Sequence, residues 1–301
     1  MTIPTEMAEA RYAGLDTWPD DAILAALLDG QRRALEAVAA AIPDLSRGAR
    51  LAADRLRGGG RLIYVGAGSP ALMSLADALE IPQTYGIAHE RIVTILADGK
   101  GIAERLDGSR EDRADEAEAD IAAARVGPAD CVIATSASGS TPYTVAGLRA
   151  ARRAGAATIG IAGNRASPLL ESADVAVLLA TGPEVISGST RMGAGTAQKA
   201  ALNMLSTLMG VHLGHVYDGL MVNLTADNAK LRGRAARIVS TITGVDDGTA
   251  AQALGVSGGE VKPATLLAAG VGSLAEAGAL LDQSRGNLRQ ALARAGVGTS
   301  K

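Results

Sequence analysis

Cys131-Val132-Ile133-Ala134-Thr135-Ser136-Ala137-Ser138-Gly139-Ser140-Thr141-Pro142 decides how the rest of the chain is read. The apolar run with its β-branched centre predicts a buried strand, the small hydroxyl residues predict a loop, and Pro142 suits the first position of a helix. Ser136, Ser138, Ser140 and Thr141 can donate hydrogen bonds, and Gly139 lets the backbone approach a guest closely. The helix that follows turns its unpaired N–H groups and positive dipole end toward the same place. A phosphate fits such a loop. So does an ordinary strand-to-helix turn in which serine and threonine act as caps, and the surrounding sequence has to choose between them.

Upstream, the pattern repeats. Leu62-Ile63-Tyr64-Val65 predicts a short buried strand, Gly66-Ala67-Gly68-Ser69-Pro70 a small-residue loop, and Ala71 to Glu80 a helix. Further strands are expected at Ile92–Leu96, Thr158–Ala162 and Val175–Leu179, with helices around Arg113–Arg125 and Tyr143–Ala154. Strands alternating with helices at this spacing predict an α/β fold: a doubly wound, mainly parallel five-stranded sheet, with ligands bound at the carboxyl ends of its strands. Gly66-Ala67-Gly68 matches the dinucleotide fingerprint only in part, with Ala71 in the third glycine's place and Glu90 as the acidic residue. Pro70 and the second hydroxyl loop suit a single phosphate better than a pyrophosphate.

Composition bounds the function. The 301 residues carry a net charge of -3, too little positive charge for a nucleic-acid surface. Aromatic residues make up 2% with no Phe, so Ala, Leu, Val, Ile and Met must fill the core. Cys131 is the single cysteine, which excludes an internal disulfide. No leader-like apolar segment and no run of about eighteen apolar residues occurs, so a soluble, cytoplasmic protein without a membrane partner is expected.

Two amphipathic helices are predicted before the first strand, Asp21–Ala41 and Leu45–Leu56, preceded by an extended arm with turns over residues 1–20. Beyond the fifth strand, Gly182-Pro183-Glu184-Val185-Ile186-Ser187-Gly188-Ser189-Thr190-Arg191 forms a third polar loop ahead of a long helix from Gly195 to Leu213. Arg191 could neutralise a ligand's charge or make a surface ion pair. His212 and His215 stand three apart, but with only His89 besides and no cysteine nearby, a capping or packing role outweighs a metal site. Another helix reaches Thr241, and the turn-rich Gly244-Val245-Asp246-Asp247-Gly248 opens three short Ala- and Leu-rich helices. The expected domains are therefore residues 1–240, with the sheet, and a small C-terminal helical domain, 241–301.

The hydroxyl loop Ser136–Thr141 resembles the phosphate loop of sugar isomerase (SIS) domains. Within that family, nearly the whole chain resembles the N-acetylmuramic acid 6-phosphate etherases and their relative, the glucokinase regulatory protein. The resemblance rests on Thr5-Glu6 with Leu15-Asp16, Gly60 to Gly68, Asp77 to Gly86, Gly108 to Asp112, Gly182 to Arg191, Ala194 to Lys199, Leu202-Asn203-Met204 and Asn228-Ala229-Lys230-Leu231. It implies the SIS fold and a homodimer, for which the helix from Gly195 is a candidate interface. It also implies a lyase that removes D-lactate from a phosphosugar without a metal or organic cofactor. Glu80 and Glu111 fall at the positions of a catalytic acid and base, Glu80 serving the lactyl oxygen and Glu111 the C2 proton. Gly68, Ser69, Ser136, Ser138, Gly139, Ser140, Thr141, Glu184, Ser189 and Thr190 fall at substrate-binding positions. The chain departs from the family at Leu72, Ser140 and Gly193, where cations are usual. Those departures keep two alternatives open, a non-catalytic phosphosugar sensor or regulator and a sugar phosphate isomerase.

Overall fold

Strands β1 (Leu62–Gly66), β2 (Ile92–Leu96), β3 (Cys131–Ser136), β4 (Ala157–Ala162) and β5 (Val175–Leu178) form one parallel sheet in the order β2-β1-β3-β4-β5. The computed structural model describes residues 4–297 other than Asp107 and Asp227. β1, β3 and β4 are buried at every position, which explains their unbroken apolar character. The chain leaves β1 for one edge at β2, then crosses back to β3. The loops after β1 and β3 therefore flank the point where strand order reverses, with Gly66 opposite Thr135.

Helices α4 (Ala114–Ala123) and α5 (Pro142–Arg153) cover one face through Ile121, Tyr143, Leu148 and Ala151, packed on Ile63, Val65, Val132 and Ala134. On the other face α2 (Ile42–Arg57) lies so close that a Cβ on Gly48 would stand 3.3 Å from Leu205 and 3.4 Å from Ile159. Helix α1 (Asp20–Ala40) precedes it, and the amino-terminal arm forms short 3-10 turns at Pro4–Glu6, Ala10–Tyr12 and Leu15–Thr17. A fifth-strand connection, α6 (Pro168–Ser172), was not expected from the sequence; its five residues are too few to show a helical period. Cys131 is fully buried, and desolvation pushes its thiol up to about 12, which leaves it unreactive.

Helix α3 (Gly68–Tyr85) is longer than expected, continuing beyond Glu80 and through Pro82. It is tied to the sheet by a buried carboxylate. Asp77 accepts hydrogen bonds from the Tyr64 hydroxyl on β1 at 2.7 Å, and from Asn203 at 2.7 Å and Ser206 at 2.9 Å on α7 (Gly193–His212). Substituting Asp77→Ala would leave these donors without their acceptor and is expected to cost about 3 kcal/mol in urea unfolding, with Asp77→Asn costing less.

The chain divides into two compact units. The first runs to Ala78 and from Glu90 to Leu208; the second takes Leu79–His89 and the chain from Met209. Helix α8 (Ala229–Thr243), which a boundary at 240 leaves with the sheet, instead packs with α9 (Asp247–Val256) and α10 (Val261–Ala268) around Ala235, Ile238, Val239, Ala250, Leu254 and Leu266. Helices α11 (Leu274–Gln283) and α12 (Leu288–Ala295) complete the second unit. His215 there meets the Lys262 ammonium at 2.9 Å, and that nitrogen also donates to the Gly286 carbonyl at 2.7 Å. Burial and the neighbouring ammonium hold the His215 imidazole neutral, down to about 3. Among the described residues no helix is long and apolar enough to cross a membrane.

Candidate active site

Ser136, at the end of β3, organises the loop that follows. Its hydroxyl lies 2.9 Å from that of Thr141 and accepts the Gly139 N–H at 3.0 Å. Ser138 Oγ accepts from both the N–H and the hydroxyl of Ser140, at 3.1 and 2.9 Å. The outer side is bolted to the β4–α6 connection: Gly163 N–H donates to Ala137 O, Asn164 Nδ2 to Ser138 O at 2.7 Å, and Leu169 N–H to Gly139 O. Gly139 has φ +76°, and a Cβ there would lie 2.4 Å from the Ser167 hydroxyl, so only glycine closes this turn without strain. The result is a preformed ring of hydroxyls at the start of α5, where the helix's positive end lies.

Glu111 sits between two helix starts. Its backbone carbonyl accepts the Tyr143 N–H of α5 at 2.9 Å. Its carboxylate lies over Gly68, the left-handed first residue of α3, where an added Cβ would stand 2.5 Å from Oε1. Half-buried here, Glu111 holds its proton more tightly than an ordinary carboxyl group, first through desolvation and then through the negative charges of Asp98 and Asp112. A carboxylate tuned in this direction is a stronger base. Ser69 is half-buried in the first turn of α3, so Gly68, Ser69, Glu111 and the Ser136–Thr141 loop share one end of the sheet.

The other expected site residues divide. Glu80 is exposed on α3 and belongs to the second unit, whereas Glu111 belongs to the first. Glu184 is buried, with both carboxylate oxygens engaged by the Gly193 and Ala194 N–H groups at 2.8 Å each. It fills the anion seat at the start of α7 with the protein's own charge. Replacing Glu184 by Ala is expected to cost about 1–2 kcal/mol through this lost cap, read by thermal unfolding. Ser189 and Thr190 are half-buried in the turn before α7, and Arg191 is exposed. Leu72 packs with Ala71, Leu75, Leu96 and Ile102 in an apolar cluster, and Ser140 is exposed.

Sequence reasoning missed several contributors. Asn164 donates to the phosphate-type loop and Ser167 packs against Gly139, but single polar residues after a strand carry no signature. The amino-terminal arm reaches the third loop, where Thr5 O accepts the Gly188 N–H and Ser187 Oγ donates to Glu6 O. Asp98, one of the charges acting on Glu111, reads in sequence as a turn residue before Gly99.

A parallel doubly wound sheet with a hydroxyl loop at its switch point defines a SIS-type α/β domain, and the SIS domain family model matches residues 113–208. An N-acetylmuramic acid 6-phosphate etherase from Deinococcus radiodurans is 46% identical, over 100% of this chain and 99% of its own length. One from Symbiobacterium thermophilum is 50% identical over 78% of each chain. The chain belongs to the N-acetylmuramic acid 6-phosphate etherase family. Among solved structures, a phosphoheptose isomerase from Francisella tularensis matches with 16% identity and a TM-score of 0.46, over 64% of this chain and 96% of that one.

Proposed function

We propose that the protein is a carbon–oxygen lyase that cleaves the D-lactyl ether of N-acetylmuramic acid 6-phosphate, giving N-acetylglucosamine 6-phosphate and D-lactate. The observation that carries this reading is Glu111: a half-buried carboxyl group of raised proton affinity, held between the starts of α3 and α5 beside the hydroxyl loop. The loop from Ser136 to Thr141, with Gly68 and Ser69, holds the sugar phosphate. Ring opening exposes a C1 aldehyde that acidifies the C2 proton. Glu111 takes that proton, leaving a C2 carbanion stabilised as the enolate of the aldehyde, and its electron pair then forms the C2=C3 double bond as the C3–O bond breaks. Glu80 supplies a proton to the departing lactyl oxygen. Water then adds at C3 and a proton returns to C2. The substrate's own aldehyde is the electron sink, so the chemistry calls for no cofactor. Glu184, with Ser189 and Thr190, shapes the start of α7 next to the bound sugar. The protein works in the cytoplasm as a homodimer.

The test is incubation with N-acetylmuramic acid 6-phosphate and assay of D-lactate, alongside hexosamine and ketose phosphates assayed for isomerisation. Equimolar D-lactate and N-acetylglucosamine 6-phosphate are expected. Binding without lactate would indicate a sensor, and aldose–ketose interconversion an isomerase. Sedimentation at twice the 30.3 kDa chain mass checks the dimer.

A further inference from the structure

Lys262, the second residue of α10, is only 5% exposed. A lysine is seldom buried unless a negative charge pairs with it. Both groups that its ammonium meets are neutral, His215 Nδ1 at 2.9 Å and the Gly286 carbonyl at 2.7 Å. Among the described residues these two acceptors leave one of the three N–H bonds over. Burial pulls the amine down to about 8, whereas a carboxylate beside it would push it up. The ammonium lines a cavity of about 510 Å³ whose walls all come from the second unit. Leu224, Val261, Pro263 and Leu281 make up an apolar part of those walls. No side chain caps the first turn of α10, so the positive end of that helix adds to the field of the ammonium. Glu260, exposed just ahead of the helix, lines the same cavity and penalises a second negative charge on any guest.

We propose that this cavity binds a small organic monocarboxylate, whose carboxylate takes the remaining N–H of Lys262 and whose hydrocarbon chain lies against Leu224, Val261, Pro263 and Leu281. One ammonium balances one negative charge. A phosphate monoester carries about two at neutral pH, meets Glu260, and finds no guanidinium fork among the described lining residues. A dicarboxylate brings a second charge to the same opposition. The apolar wall gives a hydrocarbon chain somewhere to lie that an inorganic anion cannot use. The site belongs to the second unit alone and does not depend on the etherase assignment.

The full-length protein, labelled at the lysine side-chain nitrogens and at the leucine and valine methyls, is titrated by NMR with hexanoate, and separately with succinate and with inorganic phosphate. The Lys262 signal is the one missing from Lys262→Met. Hexanoate should move that signal saturably, give nuclear Overhauser contacts to the Leu224, Val261 and Leu281 methyls, and bind at least about tenfold more tightly than succinate or phosphate. Lys262→Met puts an apolar chain of similar length in place of the buried ammonium, so it should fold and lose hexanoate affinity by at least about tenfold. An unmoved Lys262 signal, or unchanged hexanoate affinity in folded Lys262→Met, overturns the proposal. Phosphate or succinate bound as tightly as hexanoate overturns it as well. Should Lys262→Met fail to fold, the Overhauser contacts in the wild type decide: seen at those methyls they sustain the site, and their absence removes it.

Discussion

Glu111→Gln should lose D-lactate release by about 10²- to 10⁴-fold while binding the phosphosugar as the parent does. The range is that of a positioned general base. The separation of binding from chemistry follows from where the residue sits. Its backbone carbonyl, which a glutamine retains, is what anchors the start of α5. The hydroxyl ring is closed by its own contacts and by the β4–α6 connection. The pH dependence carries a sign. The base form of Glu111 prevails only above its raised value, so activity should fall on the acid side at a higher pH than an ordinary carboxylate would give. Steady-state kinetics across pH, with calorimetric binding of N-acetylglucosamine 6-phosphate, measures both halves. Affinity lost together with rate would make Glu111 a structural strut.

Gly139→Ala should have the largest effect on the loop itself. At φ +76° a non-glycine residue costs about 1–2 kcal/mol before any clash. The new methyl would meet Ser167 Oγ at 2.4 Å, Ser167 Cβ at 2.6 Å and Ala162 Cβ at 2.9 Å. Ser167 and Ala162 are both buried, so neither yields cheaply. We expect a total cost of about 3–4 kcal/mol in urea unfolding and a loss of phosphosugar affinity of at least about tenfold. Adding Ser167→Gly should recover part of the stability, because the two closest contacts disappear while the backbone penalty remains. Wild-type affinity in folded Gly139→Ala would remove the loop from the binding site.

The centre of the sheet was legible because β1, β3 and β4 are buried on both faces. A strand such as Cys131–Ser136 has to be a short apolar run, and the turn that ends it has to be small and hydroxyl-rich. That both loops lie at the carboxyl ends of the strands followed from the alternation of strands and helices; the order β2-β1-β3-β4-β5, which makes the loops neighbours, is seen only in the structure. What sequence could not show was the partner of each charge. Asp77 reads as one acidic residue on a helix, yet it is buried under three donors from β1 and α7. Glu184 reads as a ligand contact in a polar loop, yet its charge is spent on the first N–H groups of α7. Glu111 sits in an acidic run where a solvated surface is the simpler expectation, and its tuning comes from burial, with the carboxylate packed against Gly68, and then from the charges of Asp98 and Asp112. The unit boundary was misjudged because α8 is amphipathic. Periodicity says that such a helix has an apolar face, but not which neighbour covers it.

The measurement that tests the central claim most directly is turnover of N-acetylmuramic acid 6-phosphate in deuterated water, with D-lactate and deuterium at C2 of the sugar followed together. The predicted result is equimolar lactate and product carrying deuterium at C2, both lost in Glu111→Gln. Lactate formed without deuterium at C2, or neither signal from a protein that binds the sugar phosphate, would contradict elimination through a C2 carbanion and the role given to Glu111.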